Sequence, residues 1–244
     1  MSNTPKSTSK SRRANNQVIE HAKSGTARAA LLGVSDGLVT NVSLILGVAG
    51  AGASSEFIRL AGFASLVAGA ISMAVGEYIS MRGQVELLSG ILEVEREELH
   101  SHPDNAKHAL REVMLADGMS AATAEVASAE VAANPVKAMA MYARGQLGIN
   151  PEELGSVWGS AGLSFVMFSV GAFVPLIPWL YSNGMTATIV SLALSAVGAL
   201  VIGSYLGYTT GGRMLRSALR QLLVLIIAAS ATYLVGRIFH VQIS

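Results

Sequence analysis

An aspartate interrupts a stretch of chain that is otherwise apolar. Asp36 lies in Gly33-Val34-Ser35-Asp36-Gly37-Leu38-Val39-Thr40-Asn41, inside a run that stays apolar to about Ala53, with no basic residue close to it. A carboxylate at membrane depth costs about 2.5–3.5 kcal/mol on insertion scales, so it calls for a cation, a proton or a facing helix. Asp36, Thr40 and Ser43 fall at i, i+4 and i+7, a polar stripe on one helix side. A second group follows in Ile71-Ser72-Met73-Ala74-Val75-Gly76-Glu77-Tyr78, where Met73 and Glu77 are four apart and share a face that Ser80 and Met81 extend. Gly69 and Gly76 are small enough to admit another helix. Two carboxylates, a thioether and hydroxyls can replace the water shell of a borderline divalent cation. Fe²⁺, Mn²⁺ and Co²⁺ suit such a set, whereas Mg²⁺ and Ca²⁺ do not favour the sulfur. The plainer alternative has Asp36 hydrogen-bonded to a neighbouring helix, Glu77 paired with Arg82 at the interface, and Met73 as packing.

The elements that must hold these residues are membrane helices. Hydrophobic residues make up 51% of the 244 and charged residues only 14%, against about a quarter in soluble domains. The expected fold class is an all-α polytopic membrane protein. There is no cysteine, which excludes disulfides, iron–sulfur clusters and thiolate metal sites. Residues 1–28 carry Lys6, Lys10, Arg12, Arg13, Lys23 and Arg28 against Glu20 alone, and no short apolar core follows; they read as a disordered basic cytosolic tail. Five apolar stretches of about 20 residues follow, at roughly 29–53, 57–81, 156–181, 186–208 and 219–239. Pro175 and Pro178 are expected to kink or end the third. Basic and base-poor loops alternate strictly, which puts the N-terminus in the cytosol, the C-terminus outside, and Asp36 and Glu77 in the cytosolic half of the bilayer.

Domain organisation follows from composition. Residues 29–82 hold the first two spans, 83–153 a small helical cytosolic domain, and 154–244 the last three spans. The middle segment is rich in Glu, Ala and His. Leu87, Leu88, Ile91, Val94 and Leu99 form a helical apolar stripe, and further helices are expected over about 105–116, 121–133 and from Pro135 to Gly148.

The two motifs, Gly33 to Asn41 and Val67-Ala-Gly-Ala-Ile-Ser-Met-Ala-Val-Gly-Glu-Tyr78, resemble the vacuolar iron transporter family, and the likeness covers nearly the whole chain. The resemblance implies a homodimer that moves Fe²⁺, and often Mn²⁺, out of the cytosol in exchange for protons, along a path between the subunits. The family's pathway Asp, Met and Glu fall on Asp36, Met73 and Glu77, with Thr40, Asn41 and Ser43 completing the path. The sequence also departs from the family pattern. Ser65 stands where the family usually has a second-span Glu. In the insert, Glu95 and Glu98 match the first of two Glu pairs, but Ala106 and Ala109 stand at the second pair, and Tyr142, Ala143 and Gln146 stand at the Met and Glu ligands. Glu98 with His102, and His108 with Glu112, are i, i+4 pairs that could serve locally, although a solvated acidic face is the commoner explanation.

The expected function is a proton-coupled exporter of divalent transition metal. Metal is its substrate rather than a resident cofactor, the proton its coupling ion, and the lipid bilayer and a second copy its partners. Nothing calls for nucleic acid or enzymatic catalysis, and a prokaryotic plasma membrane is the expected location. The rival is a non-transporting scaffold or metal-responsive binding protein that has lost its ligands.

Overall fold

The computed structural model describes residues 30–151 and 155–239; the expectation for the basic N-terminal tail lies outside them. Among the described residues, five helices are long and apolar enough to cross a bilayer: α1 (Ala30–Gly50), α2 (Ser55–Ser101), α6 (Val157–Phe173, continued through Val174–Leu176 and α7, Ile177–Tyr181), α8 (Gly184–Thr209) and α9 (Met214–Ile238). Between α2 and α6 come α3 (Pro103–Ala116), α4 (Ala121–Ala132) and α5 (Pro135–Tyr142). The described chain is an all-α polytopic membrane protein.

The helices divide between two compact units, one of residues 26–79 and 157–244, the other containing residues 80–156. The change in composition at Gly83 is not a break in the backbone, because α2 runs on through it to Ser101. A single mid-helix glycine costs only about 1 kcal/mol, and Arg82 and Glu86 span it as an i, i+4 ion pair at 2.5 Å. Likewise α9 begins at Met214, five residues before the apolar run.

In the first unit, α1 is the central helix. Leu38, Val42 and Leu46 pack with Ala199 of α8 and with Leu225 and Ala229 of α9, while Ile45 packs with Ile58, Leu176, Trp179 and Ala187. The side facing α6 is built for close approach. A Cβ at Gly37 would fall on the Phe168 carbonyl, and one at Gly171 on the Val34 carbonyl, so the two backbones touch there. Small residues are what allow such crossings when lipid supplies no hydrophobic drive between helices.

The proline-interrupted end of α6 is held by side chains. Ile177 N–H turns back to the Val174 carbonyl, and Pro175 has no N–H to give. Asn41 donates from Nδ2 to the Ala172 carbonyl at 2.5 Å, and Ser191 from Oγ to the Pro175 carbonyl at 2.7 Å. Arg59 donates to the Trp179 carbonyl at 3.2 Å and to Asn183 Oδ1 at 3.1 Å, which ties the start of α2 to the α7–α8 turn.

In the second unit, α3, α4 and α5 pack on Ala106, Leu110, Val113, Met114, Ala124, Ala138 and Met139. Ser120 caps α4 through the Thr123 amide and Asn134 caps α5 through the Lys137 amide. Leu87, Ile91 and Val94 remain exposed on α2.

Candidate metal path

Phe168 sets the level of the membrane candidates. Its backbone meets Gly33 and Gly37 of α1, its ring meets Gly69 of α2, and it forms a buried cluster with Ala70 and Ala172 against which Met73 packs. The motif aspartate, one residue before Gly37, and the motif methionine are thus positioned on two helices by a single residue of α6, the first through its backbone and the second through its ring. Tyr78, next to Glu77, stacks on Trp158 at 4.8 Å between ring centres, which fixes that turn of α2 against α6.

Asp36 is exposed in one chain, on the same side of α1 as Leu32 and Thr40. Thr40 Oγ1 donates to Asp36 Oδ1 at 3.1 Å, and no described basic side chain forms an ion pair with the carboxylate. Seven residues on from Asp36 that side of the helix is covered, and Ser43 is buried. Asn41 is wholly buried, serving the broken end of α6 as described above. Of the stripe read from the sequence, Asp36 and Thr40 therefore stay together while Ser43 turns into the bundle, as does Asn41, the other residue expected on the path.

Met73 and Glu77 are half-buried along α2, as is Ser65. Arg82 pairs with Glu86, and Glu77 makes no ion pair among the described residues. Across the described residues of one chain no three His, Asp or Glu side chains lie close enough to share a metal ion. A single copy offers carboxylates and a thioether on adjoining helices, but no closed coordination shell.

The second unit holds the other candidates. Tyr142 hydrogen-bonds Glu95, and burial first, then that carboxylate, push its phenol above the usual range. Glu98 meets His102 at 3.3 Å on an exposed face. Glu112 instead pairs with Arg111 at 3.1 Å, and no ion pair joins it to His108. Lys107, at 2.6 Å, and Arg111, at 3.1 Å, both reach Glu125, whose carboxyl lies below its ordinary value, chiefly through the Lys107 hydrogen bond. Ala106 is in the core. Sequence reasoning missed Glu125 altogether. The signal available was its place on a helix facing the basic face of α3.

The sequence is similar to known proteins over most of its length. The sequence matches the VIT family over residues 27–237. It is 27% identical to vacuolar iron transporter 1 of Arabidopsis thaliana over 209 residues, covering 85% of this chain and 84% of the relative. It is 29% identical to vacuolar iron transporter 1 of Oryza sativa subsp. japonica, over 87% and 85% of the two chains. With the vacuolar iron transporter of Acanthamoeba castellanii the identity is 33%, over 80% and 72%.

Proposed function

Since the chain belongs to the VIT family, we propose that it exports divalent transition metal, Fe²⁺ and Mn²⁺, from the cytosol in exchange for protons, along a path completed by a second copy. The observation that supports this most is Asp36 itself: a carboxylate within a membrane span, exposed in one chain, with a threonine hydroxyl and no described cation for company. Such a group in a bilayer requires a counter-charge. Relatives named for iron transport make a divalent metal the natural one.

In this reading Asp36 and Glu77 each carry metal or proton but not both. Departure of the cation leaves a negative charge in a low-dielectric path, and proton uptake relieves it, which couples the two flows. Met73 favours borderline ions over Mg²⁺ and Ca²⁺. Thr40 orients Asp36 through its 3.1 Å hydrogen bond. The alternation of basic and base-poor loops supports a cytosolic N-terminus and insert and an outer C-terminus, and a prokaryotic plasma membrane is the proposed location.

The test is flux in proteoliposomes under an imposed pH gradient, with Fe²⁺, Mn²⁺ and Mg²⁺ compared. Gradient-dependent Fe²⁺ or Mn²⁺ flux is expected, with little for Mg²⁺, and Asp36→Ala should reduce it at least a hundredfold, on the order of 3 kcal/mol of lost ligation. Normal flux from folded Asp36→Ala protein would overturn the assignment.

A second reading is favoured by the insert. Its Glu95 is engaged by Tyr142, its Ala106 is core, and its acids meet Lys107 and Arg111. An insert in which Glu95, Glu112 and Glu125 are engaged by the chain's own donors suits a scaffold better than a metal store. No flux of any cation from folded protein would support that scaffold.

A further inference from the structure

Residues 155–244 contain no aspartate or glutamate. Within that stretch Arg213 stands at the N-cap of α9 with extended backbone, and Arg216 and Arg220 follow in its first two turns, about 40° apart on one helix face. All three are exposed, and none forms an ion pair among the described residues. Orienting a chain in the membrane needs positive charge on a loop but not its alignment on one helix face.

The surroundings of the triad suit an amphiphile. The α8–α9 turn is held by Gly212 N–H to the Gly207 carbonyl at 3.0 Å. Gly207 lies against Met214 and Gly203 against Ala218, with no room for a Cβ. The arginines therefore project from a fixed turn. Beside them Tyr205 and Tyr208 stand exposed at the end of α8, where tyrosine marks a headgroup level. Leu215 and Leu219 are exposed on the same turns of α9. Guanidinium groups meet phosphate through paired N–H donors, and apolar side chains next to them meet acyl chain.

We propose that Arg213, Arg216 and Arg220 bind the phosphate-bearing headgroup of an anionic phospholipid at the α8–α9 end of the bundle. The exposed leucines and tyrosines argue for lipid over a free anion, which would gain nothing from them. Basic clusters at membrane-helix ends gain most from the anionic leaflet. The contact is ionic, so it weakens with salt.

The experiment is a thermal-shift titration of the full chain in neutral detergent with phosphatidylglycerol, phosphatidylcholine and inorganic phosphate in turn. A saturable rise in Tm is expected with phosphatidylglycerol only. Apparent affinity should fall on the order of fivefold for each arginine removed, and the R213Q/R216Q/R220Q variant should lose the response while keeping wild-type helicity. The triple lysine variant should recover part of it, because a point charge lacks the paired donors. An undiminished phosphatidylglycerol shift in the triple glutamine variant would overturn the site. So would an equal shift with phosphatidylcholine, and full competition by millimolar inorganic phosphate would overturn lipid as its ligand. If the triple variant does not fold, Arg216→Gln alone decides: fivefold weakening supports the site and unchanged affinity refutes it.

Discussion

Asp36 and Asn41 are five residues apart on one helix, yet the fold asks different things of them. Asn41 is wholly buried and its amide completes the hydrogen bonding of the Ala172 carbonyl. Asn41→Ala leaves that carbonyl without its donor, so a loss of about 1–3 kcal/mol in stability is expected, visible as a lower Tm in detergent. Asp36→Asn keeps the shape of the side chain and an acceptor for Thr40 but removes the charge. Its stability should stay within about 0.5 kcal/mol of wild type, with little change in Tm, while metal flux disappears. A comparable Tm loss in both variants would show that Asp36 also serves packing. These two roles were not separable in the sequence, where Asp36, Thr40, Asn41 and Ser43 all read as members of one metal path. The side of α1 that is covered depends on carbonyls at the Pro175 interruption, more than 130 residues away, and periodicity within α1 carries no trace of that. Asp36 and Glu77 stood out in the sequence as charges in apolar runs, whereas Met73 joined them through the likeness to the family and by itself read as packing.

Among elements, the α1–α6 crossing is one of the least tolerant places in the bundle. Gly37 touches the Phe168 carbonyl and the Ala172 amide nitrogen, which are backbone and cannot rotate away. Gly37→Ala should separate the helices and cost about 1–3 kcal/mol or more, and because Asp36 precedes it, metal flux should fall with stability. The same substitution at Gly76, which lies mid-helix and meets nothing within 4 Å in one chain, should stabilise the monomer by up to about 1 kcal/mol. Glycines in the motif were legible as places of close approach, but the partner helix was not. The insert yields a prediction of another kind. Lys107 and Arg111 lower the Glu125 carboxyl below 4.5 in the folded chain, so the ionised form contributes stability above the unfolded value. That contribution is lost as the pH falls through the folded one. Glu125→Gln should therefore lower the unfolding midpoint of the chain slightly at neutral pH, the difference vanishing once the pH has fallen below the lowered folded value and shrinking in high salt. The α3–α5 boundaries were legible from Pro103, Gly118 and Pro135. The continuity of α2 through Gly83 was not, since a shift from apolar to charged residues marks a change of solvent without requiring a change of backbone.

At the scale of the molecule, one copy leaves its most unusual group uncovered. Leu32, Asp36 and Thr40 form an open strip on α1, while the sides of that helix facing α6, α8 and α9 are packed. An ionisable strip of this kind facing acyl chains is unfavourable, and membrane carboxylates face a bundle interior or a water-filled cavity instead. A second copy meeting the first along α1 would place two Asp36 carboxylates and two Thr40 hydroxyls around one axis, supplying the ligands that a single chain lacks. Isologous contact of this type sets like residues near their own counterparts, and the absence of cysteine makes it directly testable. Thr40→Cys, oxidised in membranes, should give a disulfide-linked dimer in high yield. Leu223→Cys, exposed on α9, should give little. Zn²⁺ or Mn²⁺ added before oxidation should change the Thr40→Cys yield but not that of Leu223→Cys, because metal held by paired Asp36 side chains would alter the spacing at the next turn. Equal cross-linking at both positions, or none at Thr40, would separate the aspartate from any subunit interface and leave its counter-charge to be found within a single chain.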